Sequence, residues 1–362
     1  MSNKSDLFSL EQRLLRKVGL EKQFLRREES RALVERITGG ECGAQEHIAL
    51  GSLLCAMHIR KESAEEIAGA AAALLATMKP FDLHQQHKEY YDIVGTGGDG
   101  KSSVSVSTAT AIAIASFGPN DGLPIAKHGN RAVSGKVGSA DVLRDCGLNF
   151  EGDDARLKEQ FARHGFIFLF APLYHSSMRF AAPIRAALKF PTIFNFLGPL
   201  CNPSNPDGAA IGVNSLERLP AMSEAARLLG KQNYFFYSSE DGYDEISTSA
   251  PSQVYSDGKL FLTVEPKQFF DPFPIPGAEN LADGARKLRY MLSGTAQKPD
   301  AEQQAAGISP QLGLQLHHTV ALNAAVALHL FGKTATLEEA FVSADNLLRQ
   351  GVAGQKLAQM QQ

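Results

Sequence analysis

The chain has 362 residues, 44% of them hydrophobic, which is enough for a sizeable core in about two domains. Its formal net charge of −3 provides no global field for nucleic acid or an anionic membrane surface, so an anionic ligand needs a local pocket of positive potential. The four cysteines, Cys42, Cys55, Cys146 and Cys201, have no CxxC spacing, which argues against a disulfide framework or a zinc site and fits a reducing, cytoplasmic setting.

The opening stretch, MSNKSDLFSLEQRLLRK, has no apolar run of the signal-peptide type. Residues 5–80 read as helices. LEQRLLRK is followed by ESRALVERIT, which Gly39-Gly40 stops, and by AQEHIALGSLLCAMH, whose apolar residues fall at three- and four-residue spacing. The next helix, SAEEIAGAAAALLATM, opens on a capping box with Ser63 as cap and Glu66 three residues on. No strand signal precedes residue 88, so residues 1–88 are predicted to form a small all-helical domain.

From Tyr90 the texture changes. YYDIV, LPIAKHG, FIFLFAP, AAIGV and NYFFYS read as strands, with TATAIAIASFG, SADVLRDCG and SEAARLL as helices between them. That alternation predicts an α/β domain over 89–362, with a mainly parallel central sheet flanked by helices. The proline-rich stretch 249–280 is predicted as an irregular surface excursion and the C-terminal third as helical. There, 312–331 is the most apolar long stretch. Gln315, His317, His318 and Asn323 make it a buried helix rather than a membrane span.

Four elements carry chemistry. The first is the loop Gly95-Thr96-Gly97-Gly98-Asp99-Gly100, directly after a strand. Glycines let backbone N–H groups approach an anion, although a tight structural turn explains the loop equally well. The hydroxyl run Ser102, Ser103, Ser105, Ser107, Thr108 follows. It can hold phosphate or complete a magnesium shell, or it can simply cap a helix beginning near Thr108. The second element is Lys127-His128-Gly129-Asn130-Arg131 with Ser134, Gly135, Lys136 and Ser139. Three cations among glycines and hydroxyls make a local phosphate site; His128 alone could be structural. The third is Asp241-Gly242-Tyr243-Asp244-Glu245 after NYFFYS. Adjacent carboxylates leaving a strand suit Mg²⁺, which takes few protein ligands, though a solvated acidic turn looks the same. The fourth runs from Ala171 to Pro203 and contains His175, Arg179, Arg185 and Gly198-Pro199. Arg185 lies ten residues after His175 on what reads as one helix, where it is either a carboxylate clamp or an exposed charge.

Together and in this order, GTGGDG, the hydroxyl run, KHGNR-x-x-S, FAP-x-YH…R…TIFN-x-LGPL-x-NP and DG-x-DE-x-S resemble the landmarks of the anthranilate phosphoribosyltransferase family over roughly residues 20–350. The resemblance implies the fold class shared with the pyrimidine nucleoside phosphorylases, a homodimer formed through the helical domain, and residues 172–190 packed on that domain. It implies transfer of phosphoribosyl from phosphoribosyl pyrophosphate to the amine of anthranilate in tryptophan biosynthesis, with Mg²⁺, two ions per active site. Carried over position by position, Gly95, Gly98, Asp99, Ser103, Ser105, Val106, Ser107 and Thr108 would line the phosphoribosyl pyrophosphate site. So would Lys127, His128, Gly129, Asn130, Arg131, Ser134, Gly135 and Ser139. Ser107, Asp244 and Glu245 would hold the metal. Gly95, His128, Asn130, His175, Arg185, Gly198 and Pro199 would receive anthranilate, and Lys127, Asn130 and Arg131 would act in catalysis.

The chain departs from the family pattern at Ser105, where an asparagine is usual, at Gly135, where a second serine is usual, around Asp121-Gly122, and at Pro191. Two rival readings remain. A pyrimidine nucleoside phosphorylase would need no Asp244-Glu245 pair. A non-catalytic nucleic-acid-binding relative would need a basic groove, and the chain has no basic run.

Overall fold

The computed structural model of the chain describes residues 9–117, 122–131, 138–295 and 299–361. Helices α1 (Leu10–Gly19), α2 (Arg27–Thr38), α3 (Ala44–Arg60) and α4 (Ala64–Thr77) come first. Ser9 caps α1 and Ser63 caps α4, and in each case Gln12 or Glu66 returns a bond to the cap's own N–H. α2 ends immediately before Gly39-Gly40. The alanine run of α4 allows close packing on α2. A Cβ at Gly69 would stand 2.1 Å from the Arg27 carbonyl oxygen. The buried Glu66 accepts from the Leu25 N–H at 2.8 Å and from the Arg60 guanidinium, so its charge is paired inside the bundle.

The sheet has seven strands: β1 (Tyr91–Gly95), β2 (Ile125–Gly129), β3 (Phe166–Phe170), β4 (Gly208–Gly212), β5 (Tyr234–Ser239), β6 (Ser252–Ser256) and β7 (Lys259–Val264). Their order is β3-β2-β1-β4-β5-β6-β7. β1 to β5 run parallel and β6 and β7 antiparallel. The remaining helices are α5 (Val106–Ile114), α6 (Ser139–Asp145), α7 (Asp154–His164), α8 (Ala171–Tyr174), α9 (Ala182–Leu188), α10 (Phe194–Leu197), α11 (Leu219–Leu228), α12 (Leu281–Leu292), α13 (Ala301–Ala305), α14 (Pro310–Leu330), α15 (Leu337–Arg349) and α16 (Val352–Gln359).

Side chains of β4 and β5 alternate between two cores. Ala210, Phe235 and Tyr237 join the core made with α5, α6, α12, α14, α15 and α16. Ala209, Ile211, Tyr234 and Phe236 face the other way, into a core shared with α11 and with α1 to α4. The helical bundle is therefore packed on one face of the sheet. α9 joins it, since a Cβ on Gly51 of α3 would touch Ile184 and Leu188 at 3.9 Å. A buried ion pair, Glu62 with Arg218, ties bundle to sheet domain, and the Arg218 guanidinium lies 4.2 Å from the Phe196 ring centroid.

Two expectations need correction. The stretch 249–280 is not wholly irregular, because it contains the β6–β7 hairpin. Its turn is Asp257-Gly258, with φ of 49° and 75°, the conformation in which Asp-Gly joins two strands. The prolines flank the hairpin, Pro251 before it and Pro266 to Pro276 after it. Likewise, His175 and Arg185 do not share one helix. α8, a 3₁₀ turn at Ser176–Ala181 and α9 succeed one another. Pro183, in the first turn of α9, lacks the N–H that would carry a longer helix through. No described helix is long and apolar enough to cross a membrane.

Candidate active site

From β1 the chain winds outward to β2 and β3, then returns to place β4 on the other side of β1. Parallel sheets leave a crevice at such a reversal, beyond the carboxyl ends of the strands. A cavity of about 930 Å³ lies there. The glycine loop enters it from Gly95, the KHGNR loop from Gly129, and the Asp244-Glu245 turn from the end of β5.

Of the sixteen residues assigned to phosphoribosyl pyrophosphate, Ser134 and Gly135 lie outside the described residues. Gly95, Gly98, Asp99, Ser103, Ser105, Ser107 and Thr108 all line the cavity, as do Lys127, His128, Gly129, Asn130, Arg131 and Ser139. Val106 does not; its side chain is buried in the core beneath the sheet. Asp244 and Glu245 line the same cavity, and so do His175, Arg185, Gly198 and Pro199. The hydroxyl run is not spent on capping. α5 begins at Val106, and its cap residue Ser105 makes no side-chain capping bond.

At one end the carboxylates of Asp99, Asp244 and Glu245 come within 4.8 Å of one another. Asp244 Oδ2 accepts the Gly97 N–H at 2.7 Å. Glycine is required on both neighbouring strands. A Cβ at Gly95 would lie 2.5 Å from Asp244 Oδ2, and one at Gly212 would run into the Asp244 carbonyl. Burial, then the charge of Asp99, pushes the Asp244 carboxyl up; burial, then Asp244, pushes Glu245 well above the usual carboxylate range. Glu245 Oε2 has no hydrogen-bond partner among the described residues. Lys127 is buried alongside, donating to the Ile93 carbonyl and to Ser107 Oγ at 3.1 Å. Burial pulls its ammonium down to about 8, against the attraction of Asp92, Glu245 and Asp244.

The two histidines of the cavity are neutral. The His128 and His175 ring centroids are 5.2 Å apart. His128 Nδ1 donates to the Gly198 carbonyl at 3.1 Å and His175 Nε2 to the Cys201 carbonyl at 2.9 Å, which assigns each proton and leaves the other nitrogen an acceptor. Burial, then the neighbouring His175, drives His128 down to about 3; burial also lowers His175. Both rings are uncharged at neutral pH. Arg185 lines the same cavity with no ion pair among the described residues, and burial lowers its pKa.

The family model described as "Glycosyl transferase family, a/b domain" matches residues 87–354, and "Glycosyl transferase family, helical bundle domain" matches residues 12–78. The anthranilate phosphoribosyltransferase of Tolumonas auensis is 38% identical over 324 residues, spanning 88% of this chain and 90% of that one. The chain belongs to the anthranilate phosphoribosyltransferase family.

Solved members of the anthranilate phosphoribosyltransferase family share the fold. The Thermus thermophilus structure superposes with a TM-score of 0.81 at 32% identity, covering 96% of this chain and 98% of that one. A Saccharomyces cerevisiae structure, in complex with PRPP and Mg, gives 0.80 at 26% identity over 99% and 97%. A second yeast structure, in complex with 4-fluoroanthranilate, gives 0.79 at 25% identity over 99% and 98%. The motif reading gave Asp99 one role only and assigned no role to several lining residues, Leu74 among them. Asp99, assigned to the diphosphate, also belongs to the carboxylate cluster. Leu74 reaches the cavity from α4 of the bundle. Asp99 was detectable as an acidic residue in a phosphate-type loop, where it only makes sense beside a cation; nothing local marks Leu74.

Proposed function

We propose that the chain transfers the 5-phosphoribosyl group of phosphoribosyl pyrophosphate to the amine of anthranilate, releasing pyrophosphate. One observation carries the reading: a single cavity joins a crowded carboxylate cluster to an arginine that has no ionic partner among the described residues. A C1–N bond forms as the C1–O bond to pyrophosphate breaks, and the nitrogen, strongly acidic once alkylated, passes a proton to the departing pyrophosphate or to water. An aromatic amine is unprotonated at neutral pH, so no strong general base is needed, and positioning and electrostatics supply most of the rate.

The donor set fits Mg²⁺. Three hard oxygen ligands converge, and a buried carboxylate oxygen without a hydrogen-bond partner among the described residues suits a cation. Asp99, Asp244, Glu245 and the Ser107 hydroxyl would hold it, and the same carboxylates would serve two ions per active site. When bound, magnesium supplies charge neutralisation of the leaving group. Lys127 and Arg131 add positive charge there, Asn130 orients the amine, and Arg185 grips the carboxylate of anthranilate in two parallel bonds. Leu20, Phe24, Ile48 and Ile59, exposed on the helical bundle, support a homodimer formed through that unit. The four unpaired cysteines support a cytoplasmic setting.

The test is loss of anthranilate fluorescence with phosphoribosyl pyrophosphate and Mg²⁺, abolished by EDTA. Phosphorolysis of thymidine instead, or salt-dependent DNA binding without turnover, would overturn the reading.

A further inference from the structure

α14 reads as a core helix, and most of its residues are buried. An asparagine in its middle costs free energy unless every polar atom is matched. Asn323 is 6% exposed, and nothing in the reaction chemistry above uses it. Its carboxamide is fully matched. Oδ1 accepts the Ile246 N–H at 3.0 Å; Nδ2 donates to the Ile246 carbonyl at 3.0 Å and to the Thr319 carbonyl, one helical turn back, at 2.9 Å.

Two of these three bonds go to a single residue, and that residue directly follows Glu245. A grip on both the N–H and the C=O of Ile246 constrains rotation as well as position. On the opposite side, the Gly97 N–H holds Asp244 Oδ2 at 2.7 Å. The carboxylate turn is thus held between the glycine loop and α14. The buried Ile246 side chain packs in the same core as α14.

We propose that Asn323 is a positioning residue for the magnesium carboxylates, acting through the Ile246 backbone; this rests on the metal reading of Asp244 and Glu245. Like charges packed this closely spread apart unless the backbone holds them, so the clamp sets the ligand geometry before the cation arrives. A role confined to folding would lower stability and leave metal affinity where it was.

The test compares Asn323→Leu, which is near-isosteric and makes none of the three bonds, with Asn323→Ser, which is too short to reach Ile246 and perturbs packing less. Thr319→Val is the control; it removes a buried hydroxyl bonded to the Gln315 carbonyl at 2.8 Å and leaves Ile246 untouched. Mn²⁺ binding in the presence of pyrophosphate is read directly by electron paramagnetic resonance, alongside thermal midpoints. Both Asn323 variants are expected to bind Mn²⁺ about ten- to a hundred-fold more weakly. Half-saturating Mg²⁺ for turnover should rise in step, and the anthranilate KM should not move. Thr319→Val should lower the midpoint without shifting Mn²⁺ affinity. A folded Asn323 variant with wild-type Mn²⁺ affinity, while the wild type binds the ion, overturns the proposal alone. A wild type that binds no Mn²⁺ overturns the metal reading beneath it.

Discussion

At the carboxylate end of the cavity, Asp99, Asp244 and Glu245 crowd together with burial pushing Asp244 and Glu245 toward the neutral form. Elsewhere in the cavity, His128 and His175 spend their protons on backbone carbonyls, and Arg185 has no ion pair among the described residues. One region is unsatisfied until a cation arrives, the other until an anion does. Substitutions at the first should damage turnover and metal dependence; substitutions at the second should damage recognition of one substrate.

The largest effect is expected from Asp244→Asn combined with Glu245→Gln. Turnover should fall by about a thousand-fold or more, because the charge that holds the metal is gone. The folded state should survive, since two buried like charges are removed. Circular dichroism and a turnover assay decide this, and undiminished turnover would remove the metal assignment. Next, Arg185→Ala should raise the anthranilate KM about ten- to a hundred-fold, the worth of a charged bidentate pair, and leave the KM for phosphoribosyl pyrophosphate in place. Arg185→Lys should recover only part of the loss, and the Ala variant should discriminate poorly against aniline. Retained selectivity would shift the role to Arg179, which also lines the cavity.

Arg131→Ala is expected to be milder. Arg131 is exposed and 3.8 Å from Asp141, so its loss should raise the KM for phosphoribosyl pyrophosphate by roughly tenfold, the low end for a charged hydrogen bond. A change in the anthranilate KM alone would mean that the loop faces the other substrate. The last prediction concerns stability against pH, with no change in turnover at neutral pH. His128 is depressed from 6.5 to about 3 in the fold. A depressed group contributes stability that is present above its unfolded pKa and is lost as pH falls toward its folded one. Between pH 6.5 and 3, the unfolded chain binds a proton that the folded chain refuses. Stability should therefore drop on acidification by up to about 1.4 kcal/mol per pH unit from this residue. Urea midpoints of the wild type and His128→Gln at pH 6.5, 5.5 and 4.5 test it; equal slopes would mean that His128 takes up its proton in the fold as it does in the unfolded chain.

How much of this was legible depends on range. The capping box of α4, the glycine stop of α2 and the five parallel strands were readable because each is set by sterics and hydrogen bonds within a few residues. The β6–β7 hairpin carried its signal in Asp257-Gly258, flanked by QVYS and KLFLTV, but neighbouring prolines outweighed it. The break between His175 and Arg185 had a visible cause in Pro183. In the site, the cation-rich loop and the carboxylate pair announced themselves by composition. Val106 was drawn in by its neighbours, and as the first residue of α5 it turns its side chain into the core.

The amino-acid order by itself determined which chemical groups leave the strand ends and the turns that present them, since glycine conformation and strand alternation are local matters. It did not determine how those groups are charged or held. The closeness of Asp99 to Glu245, the neutrality of His128, the desolvation of Arg185 and the grip of Asn323 on Ile246 join residues that lie tens to more than a hundred positions apart. Only packing brings them together, and only packing excludes the water that would otherwise screen them.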